Sequence, residues 1–175
     1  TCYRGTWAAD GPFLLEAATY LGRWQQARTG LELQIDKDDG PGGVEFSIDP
    51  VECDPMAEID PDQIAQVLTN LISNSVAAMP DGGAIRVSVT GDEGQITIVV
   101  RDTGTGIPQE NLQRVFEPFF TTKRMGKGTG LGLAVTYGIV KMHRGQISVA
   151  SNTDPSVGHT WTAFTVVLPR TAPAG

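Results

Sequence analysis

Two asparagines stand four residues apart in a segment with the hydrophobic spacing of a helix. Together with Gln66, the side chains of Asn70 and Asn74 lie above one another on one helix face. A solvated polar face is the simplest interpretation, although asparagine is a poor residue for a helix interior. An amide oxygen is also a ligand that Mg²⁺ accepts beside water and phosphate oxygens, so Asn74 is a candidate magnesium ligand.

A carboxylate followed by two glycines comes directly after a predicted strand. In the segment DTGTGI, residues 102–107, Gly104 and Gly106 allow a flat ligand to approach the backbone closely. Asp102 can accept a hydrogen bond from an exocyclic amino group such as that of adenine, whereas guanine presents a carbonyl oxygen at that position. An ordinary turn with an Asx-type hydrogen bond is the alternative interpretation.

A glycine-rich loop immediately precedes another predicted helix. Backbone N–H groups at a helix N-terminus favour anions, and glycines remove the side chains that would block phosphate. The loop lacks the spacing of a Walker motif, and no parallel βαβ unit surrounds it as in a dinucleotide-binding fingerprint. Its residues are Gly126, Lys127, Gly128, Thr129, Gly130, Leu131 and Gly132.

Three phenylalanines lie in the otherwise polar segment 115–123, between the two glycine segments. They either pin a loop to the core or anchor a mobile lid, and the two interpretations are compatible. Lys123 follows them and stands close to the glycine loop, where it can supply positive charge to a terminal phosphate.

The elements that must position these residues mix helices and strands. Residues 84–90 and 95–101 predict a hairpin, and the absence of a crossover helix between them disfavours a doubly wound parallel sheet. We therefore expect an α/β sandwich with a mixed, largely antiparallel sheet and helices packed on one face. Apolar periodicity predicts helices over 13–27, 61–79 and 131–143, a short helical patch over 111–116, and further strands around 31–35, 44–48, 147–149 and 164–168.

Composition narrows the class of protein. The 175 residues carry a net charge of −7, which argues against a nucleic-acid surface. Cys2 and Cys53 are the two cysteines, and so few fit free thiols in a reducing cytoplasm. No apolar stretch approaches the roughly 20 residues that cross a bilayer, and we expect no direct membrane contact. Because the chain starts at Thr1, we expect a fragment of a parent protein that is either soluble or membrane-anchored.

Taken in order, these motifs resemble those of the ATP-binding catalytic domain of sensor histidine kinases. Residues 70–74 resemble the N box, 102–107 the first glycine box, 116–120 the F box and 128–132 the second glycine box. FEPFFTTK and GKGTGLGL are the most specific parts, and the resemblance is strong over 60–169. The chain is most similar to kinases of the nitrogen-regulation and oxygen-sensing type. The wider superfamily is shared with gyrase, mismatch-repair ATPases and heat-shock chaperone ATPases.

The resemblance implies a Bergerat ATP-binding fold in one domain over 1–175, with 1–60 as its N-terminal part and 108–128 as the ATP lid. It implies that Asn74 binds Mg²⁺ and that Asp102 reads adenine. In ATP-hydrolysing relatives a glutamate that activates water stands at the position of Asn70, and an amide cannot act as a base. The candidate catalytic residues are Asn70 and Lys123. The candidate nucleotide contacts are Asn70, Asn74, Asp102, Gly104, Gly106, Ile107, Phe116, Thr122, Lys123, Gly126, Lys127, Gly128, Thr129, Gly130, Leu131, Gly132 and Thr162.

The implied activity is that of a protein-histidine kinase in two-component signalling. The domain would bind Mg²⁺-ATP and donate the γ-phosphoryl group to a histidine on a separate dimerisation domain of the same kinase, which passes it to a response regulator. His159 lies in a predicted loop, and His143 ends a helix where such domains often have a structural histidine. The acceptor is therefore expected elsewhere, and the fragment is expected to be cytoplasmic.

The sequence departs from the family pattern at two positions. Ala77 stands where many kinases carry a basic residue, so we expect Lys123 to take over that phosphate contact. Trp161 stands where the last glycine box has a second glycine, which puts the contact inferred for Thr162 in doubt.

Three other functions share parts of the pattern. A clamp-type ATPase of the same superfamily is disfavoured by Asn70 and the F box. A scaffold that has lost nucleotide binding is disfavoured by the intact Asn74, Asp102 and glycine loop. An anti-sigma-factor kinase shares the nucleotide boxes but normally lacks the FEPFFTTK segment.

Overall fold

The computed structural model describes residues 43–49, 59–122 and 129–170. The predicted helix over 13–27 and the predicted strand around 31–35 lie outside these residues. In chain order the elements are β1 (Val44–Ile48), α1 (Pro61–Ala77), β2 (Gly83–Gly91), β3 (Gln95–Asp102), a 3₁₀ turn (Gln109–Asn111), α2 (Gly132–Met142), β4 (Gln146–Asn152), a second 3₁₀ turn (Pro155–Val157) and β5 (Trp161–Pro169).

Helix α1 begins at a side-chain cap, as its sequence predicts. The Asp60 carboxylate accepts hydrogen bonds from the backbone N–H groups of Asp62 at 3.0 Å and Gln63 at 3.2 Å, and proline occupies the first turn. One face of the helix is buried because its apolar residues recur at helical spacing. These residues are Ile64, Val67, Leu68, Leu71 and Ile72.

The five strands form one sheet in the order β1-β2-β3-β5-β4. β1 pairs with β2 in parallel, and the other three pairings are antiparallel, so the predicted mixed, largely antiparallel sheet is confirmed. Alternate residues along the strands face the two helices, because strand side chains have a period of two. The buried members from the three central strands are Ile85, Val87, Ile96, Ile98, Val100, Phe164, Val166 and Leu168. Helices α1 and α2 pack against each other and against this face.

The centre of the sheet sets the position of the candidate site. Asp102 is the last residue of β3 and pairs with Thr162 near the start of β5. Both side chains are buried on the helix-covered face, at the edge where α1 ends. The predicted helical patch over 111–116 is a 3₁₀ turn at Gln109–Asn111 followed by turns.

His143 joins the two helices. Its Nε2 accepts a hydrogen bond from the backbone N–H of Asp60 at 2.9 Å, and its Nδ1 lies 2.8 Å from the Ile139 carbonyl oxygen. Because the Asp60 N–H can only donate, Nδ1 carries the hydrogen and donates to Ile139. The ring thus ties the end of α2 to the start of α1, as expected for a structural histidine. In the described ranges, no helix has both the length and the apolar character needed to span a membrane.

Candidate functional site

A cavity of about 240 Å³ lies between the end of α1, the paired ends of β3 and β5, and the segment that follows β3. Six of the predicted nucleotide contacts line it, namely Asn74, Asp102, Gly106, Ile107, Thr122 and Thr162. The other lining residues are Ser75, Ala77, Ala78, Thr105, Pro108, Asn111, Val115, Phe120, Thr121, Leu133 and Phe164. The tertiary structure therefore brings the N box, the first glycine box, part of the lid segment and the last strand to one place.

Asp102 is a buried carboxylate in the wall of this cavity, with 2% of its surface exposed. Its Oδ2 accepts a hydrogen bond from the Ser75 hydroxyl at 2.7 Å, and its Oδ1 accepts one from the Gly104 N–H at 3.0 Å. Burial raises the pKa of Asp102 above its ordinary value, and the hydrogen bonds from Ser75 and from the backbone at Gly104 and Thr162 oppose that rise. Hydrogen-bond donors thus surround the carboxylate, and a bound ligand would meet it as an acceptor.

The glycines after Asp102 are required by the fold itself. A Cβ at Gly104 would lie 2.8 Å from the Ala78 carbonyl oxygen. Gly106 has a φ of 78°, and a Cβ there would clash with the backbone of Asn152. Only glycine tolerates both conditions without strain. The turn therefore packs against the end of α1 and the end of β4, which holds Ile107 in the cavity wall.

Ser151 on β4 is a site residue that the sequence did not indicate. Its hydroxyl accepts a hydrogen bond from the Ile107 N–H at 2.7 Å and donates one to the Trp161 carbonyl oxygen at 2.7 Å. It also lies 3.1 Å from the hydroxyl of Thr162. One serine thus fixes the start of the lid segment against β5. Ser75 was missed in the same way, since a single serine on a strand or helix gives no periodic signal.

The two asparagines of α1 have different surroundings. Asn74 lines the cavity. The Asn70 amide instead donates to the Gly132 carbonyl oxygen at 3.1 Å and lies 3.2 Å from the Thr136 hydroxyl, so it ties α1 to the start of α2. The catalytic and nucleotide-contact roles inferred for Asn70 stay predictions. No cluster of three or more His, Cys, Asp or Glu side chains suitable for a metal lies within the described part of the chain, and a metal held mainly by Asn74 would need phosphate and water as its other ligands.

The three phenylalanines of the lid segment have different surroundings. The Phe116 ring packs against Tyr137 and Phe164, with ring centroids 5.7 and 6.3 Å apart. Phe120 lines the cavity, whereas Phe119 is 74% exposed. The Phe119 N–H donates to the Gly130 carbonyl oxygen at 2.9 Å, so a residue inside the predicted lid segment is tied to the chain just after that segment. Gly130 has a φ of 66° and lies against the Phe119 backbone, which leaves no room for a side chain.

Lys123 and the first part of the predicted phosphate loop, Gly126, Lys127 and Gly128, lie outside the described residues. Their contacts, and the catalytic role of Lys123, stay predictions. Next to them, the Leu131 N–H donates to the Thr129 hydroxyl at 3.4 Å, and α2 begins at Gly132. These residues place a helix N-terminus beside the end of the lid segment.

Trp161 does not close the cavity. The Arg101 guanidinium lies 4.5 Å from the centre of its ring, and Trp161 alternates along β5 with Thr162, which is 3% exposed and lines the cavity. Because side chains on a strand point to opposite faces in turn, the tryptophan lies on the face away from the helices. The departure from glycine at this position is therefore accommodated outside the site.

Two bacterial kinases are similar to this chain in sequence. Sporulation kinase A of Bacillus subtilis (strain 168) is 47% identical over 111 residues, which cover 63% of this chain and 17% of that protein. Sensor histidine kinase ZraS of Escherichia coli (strain K12) is 41% identical over 122 residues, covering 69% of this chain and 25% of that protein. The chain thus spans a quarter or less of the length of these relatives.

The fold is also that of solved kinase structures. The catalytic domain of histidine kinase ThkA matches with a TM-score of 0.72 at 23% identity, covering 91% of this chain and 98% of that domain. ThkA in complex with response regulator protein TrrA matches with a TM-score of 0.69 at 21% identity, covering 91% of this chain and 42% of that one. These likenesses confirm the predicted histidine kinase catalytic-domain fold, while the narrower nitrogen-regulation and oxygen-sensing type stays a prediction. The family model described as histidine kinase-, DNA gyrase B- and HSP90-like ATPase matches residues 59–172, and the chain belongs to this family.

Proposed function

We propose that this chain binds Mg²⁺-ATP in the cavity and donates the γ-phosphoryl group to a histidine on the dimerisation domain of a sensor histidine kinase. The observation that carries the proposal is the buried carboxylate of Asp102, held by donors in the wall of a cavity that the N box and lid segment also line. Membership of an ATPase family that includes histidine kinases gives the reaction class.

Adenine is the base that fits Asp102. An ionised carboxylate is only an acceptor, so it pairs with the 6-amino group of adenine. The 6-oxo group of guanine would place a second acceptor against it inside a buried site. Leaving such groups unpaired away from water is costly, and the site should therefore discriminate against guanine nucleotides.

Asn74 would hold a magnesium ion together with the phosphates of the nucleotide. Its side chain lines the cavity one residue before Ser75, which contacts Asp102. Mg²⁺ usually keeps several waters and binds through one or two protein ligands plus phosphate oxygens. When bound, the ion would neutralise charge on the phosphates. The amide oxygen of Asn74 would fix where that charge is neutralised.

Hydrolysis of ATP by water, in the absence of an acceptor histidine, should be slow. The Asn70 amide is a neutral group bonded to Gly132 and close to Thr136, and an amide cannot take a proton from water. Phosphoryl transfer depends mainly on positioning and charge stabilisation. A correctly docked acceptor histidine should therefore outcompete water, which distinguishes a kinase domain from a clamp-type ATPase.

We infer that the acceptor is carried on another domain that docks beside the lid. His143 is engaged between the two helices. Phe119, inside the predicted lid, is 74% exposed, and Leu131 and Val135, at the start of α2, are 39% and 40% exposed. Residues four apart along a helix are neighbours on its surface. This apolar surface supports docking of a dimerisation domain. ThkA has been solved with a response regulator, and we propose that the phosphoryl group here passes from the acceptor histidine to such a protein.

The test is incubation with γ-labelled ATP, with and without the separately produced dimerisation domain of the parent kinase. The chain alone should bind ATP, release phosphate very slowly and remain unlabelled, whereas the added domain should become labelled on histidine. Docking in trans should be weaker than in the intact kinase, because the high effective concentration supplied by tethering is lost. Absence of ATP binding, rapid phosphate release by the chain alone, or labelling of His143 or His159 would each overturn the proposal.

A further inference from the structure

We propose that Ser75 sets the base selectivity of this site by holding the Asp102 carboxylate in the orientation that reads a 6-amino group. The inference rests on the proposed adenine contact of Asp102 and adds a positioning residue behind it. Ser75 would not touch the nucleotide base through its hydrogen-bonding hydroxyl. It would act through the carboxylate that does.

The geometry of α1 singles out this serine. A hydroxyl inside a helix commonly donates back to a carbonyl one turn earlier, as Thr69 does to the Ala65 carbonyl oxygen at 2.8 Å. Ser75 instead donates across the fold to Asp102 Oδ2 at 2.7 Å. Ser75 and Asp102 are 1% and 2% exposed, so water competes little for this bond, and a hydrogen bond to a charged partner is stronger than one between neutral groups.

The count of donors around Asp102 explains the selectivity. An ionised carboxylate has about four acceptor positions. Ser75 occupies one, and the backbone groups of Gly104 and Thr162 supply further hydrogen bonds. About one acceptor position is then left for a ligand, which matches the single N–H that an amino group would present. A purine without that N–H would leave the position unfilled.

The Ser75 bond also fixes rotation of the carboxylate. The terminal torsion of aspartate has a broad energy profile, so neighbouring donors rather than the side chain itself decide where the oxygens point. The Gly104 N–H holds Oδ1 from within the same turn, whereas Ser75 holds Oδ2 from α1. Without the hydroxyl, Oδ2 loses its donor from the helix and the carboxylate is free to turn away from the ligand.

The experiment compares binding of two nucleotides to the parent chain and to Ser75→Ala by calorimetric titration. The first nucleotide is ATP, and the second is purine riboside triphosphate, which carries hydrogen in place of the 6-amino group. In Ser75→Ala the affinity for ATP should fall about tenfold, the effect of one charge-assisted hydrogen bond. The affinity for the analogue should change by less than about twofold, because it never makes the bond that the carboxylate offers. A purely structural role would weaken both nucleotides equally.

Matched variants separate this effect from general damage. Thr69→Ala deletes a hydroxyl on the exposed face of the same helix and should leave the ratio of the two affinities unchanged. Ser75→Cys keeps a weak donor of similar size and should give an intermediate ratio. If Ser75→Ala does not fold, the Ser75→Cys variant replaces it in the comparison. In an Asp102→Asn background, Ser75→Ala should cost little further ATP affinity, since contacting residues are not additive.

The outcomes distinguish this inference from the proposed function. If the parent chain does not bind ATP, or binds it no better than the analogue, the proposed adenine contact itself fails. If the parent prefers ATP and Ser75→Ala keeps that preference in full, or loses both affinities equally, the positioning role of Ser75 is refuted while the adenine contact stands.

Discussion

Asp102→Asn tests the base contact directly, because it changes the charge of one buried group and almost nothing of its shape. In the parent, the Gly104 N–H lies 3.0 Å from Oδ1 and the Ser75 hydroxyl lies 2.7 Å from Oδ2. In the variant, the amide oxygen can accept the hydrogen bond from Gly104, and the amide nitrogen can donate to the Ser75 oxygen. Asparagine can thus keep both of these contacts. What the nucleotide loses is a charged acceptor for its amino group.

The expected loss of ATP affinity is about 1.5–3 kcal/mol, the range for a hydrogen bond to a charged group, which corresponds to about 10- to 150-fold in the dissociation constant. The value should lie near the lower end, because the amide oxygen still accepts a hydrogen bond. Calorimetric titration with ATP measures it. The matched control is Asp92→Asn in the β2–β3 turn, where an exposed carboxylate accepts from Gly94 and Gln95 and the same charge is removed far from the cavity.

Although Asp102→Asn should lower ATP affinity, it should not lower the thermal stability of the nucleotide-free chain. Burial raises the pKa of Asp102 above its ordinary 3.8, so the folded state disfavours the ionised form that the unfolded state adopts readily. That cost is absent at low pH, where both states are protonated. It grows as pH rises from the ordinary pKa of 3.8 to the raised folded-state pKa, and it is constant above that. At neutral pH, nucleotide-free Asp102→Asn should therefore unfold at a temperature equal to or higher than the parent's, and its advantage should disappear in acid.

Two results would refute this reasoning. ATP binding as tight as the parent's would show that Asp102 does not contact the base. A neutral-pH unfolding temperature well below the parent's, with Asp92→Asn unaffected, would show that asparagine is not accepted at this position, and the affinity loss could then not be assigned to the ligand.

Three further predictions concern the metal, the lid and one glycine. Asn74→Ala should abolish most of the enhancement of ATP affinity by Mg²⁺ while sparing adenosine binding; an unchanged enhancement in titrations with and without the metal would exclude the ligand role. Hydrogen exchange over 108–128 should slow when ATP is added, since long segments of this kind commonly serve as lids; equal rates in both states would count against a lid. Gly130→Ala should lower the free energy of unfolding in denaturant by at least about 1–2 kcal/mol, because φ is 66° and the added carbon meets the Phe119 backbone; an unchanged value would mean that the backbone there adopts another conformation.

Local patterns in the sequence were enough to predict most of the described helices and strands. Helix α1 followed from apolar residues at helical spacing behind an aspartate cap, and the β2–β3 hairpin followed from alternation on both sides of a glycine turn. The predicted helix over 61–79 overran the observed end at Ala77. Met79 continues the apolar pattern and is buried, but a buried residue just past a helix end looks the same in the sequence as one inside it.

The motifs of the candidate site were equally visible, because each is a short run of unusual residues. Asp102, Gly106 and Ile107 were predicted from such a run and Thr162 only through the resemblance to a family, and all four lie together in the cavity wall. Their convergence could be predicted only through the resemblance to a family. Periodicity gives the face on which a side chain lies, and it does not give the element that covers that face.

Tertiary structure alone decided the partners of single polar groups. Asn70 and Asn74 share one face of α1, yet one bonds to the start of α2 and the other lines the cavity. Ser75 and Ser151 find their partners at Asp102 and Ile107, which are 27 and 44 residues away in the chain. A hydroxyl has one donor and can satisfy it locally or at a distance. The packing of α1 on β3, and of β4 beside β5, determines which of these two happens, and no pattern in the sequence records that packing.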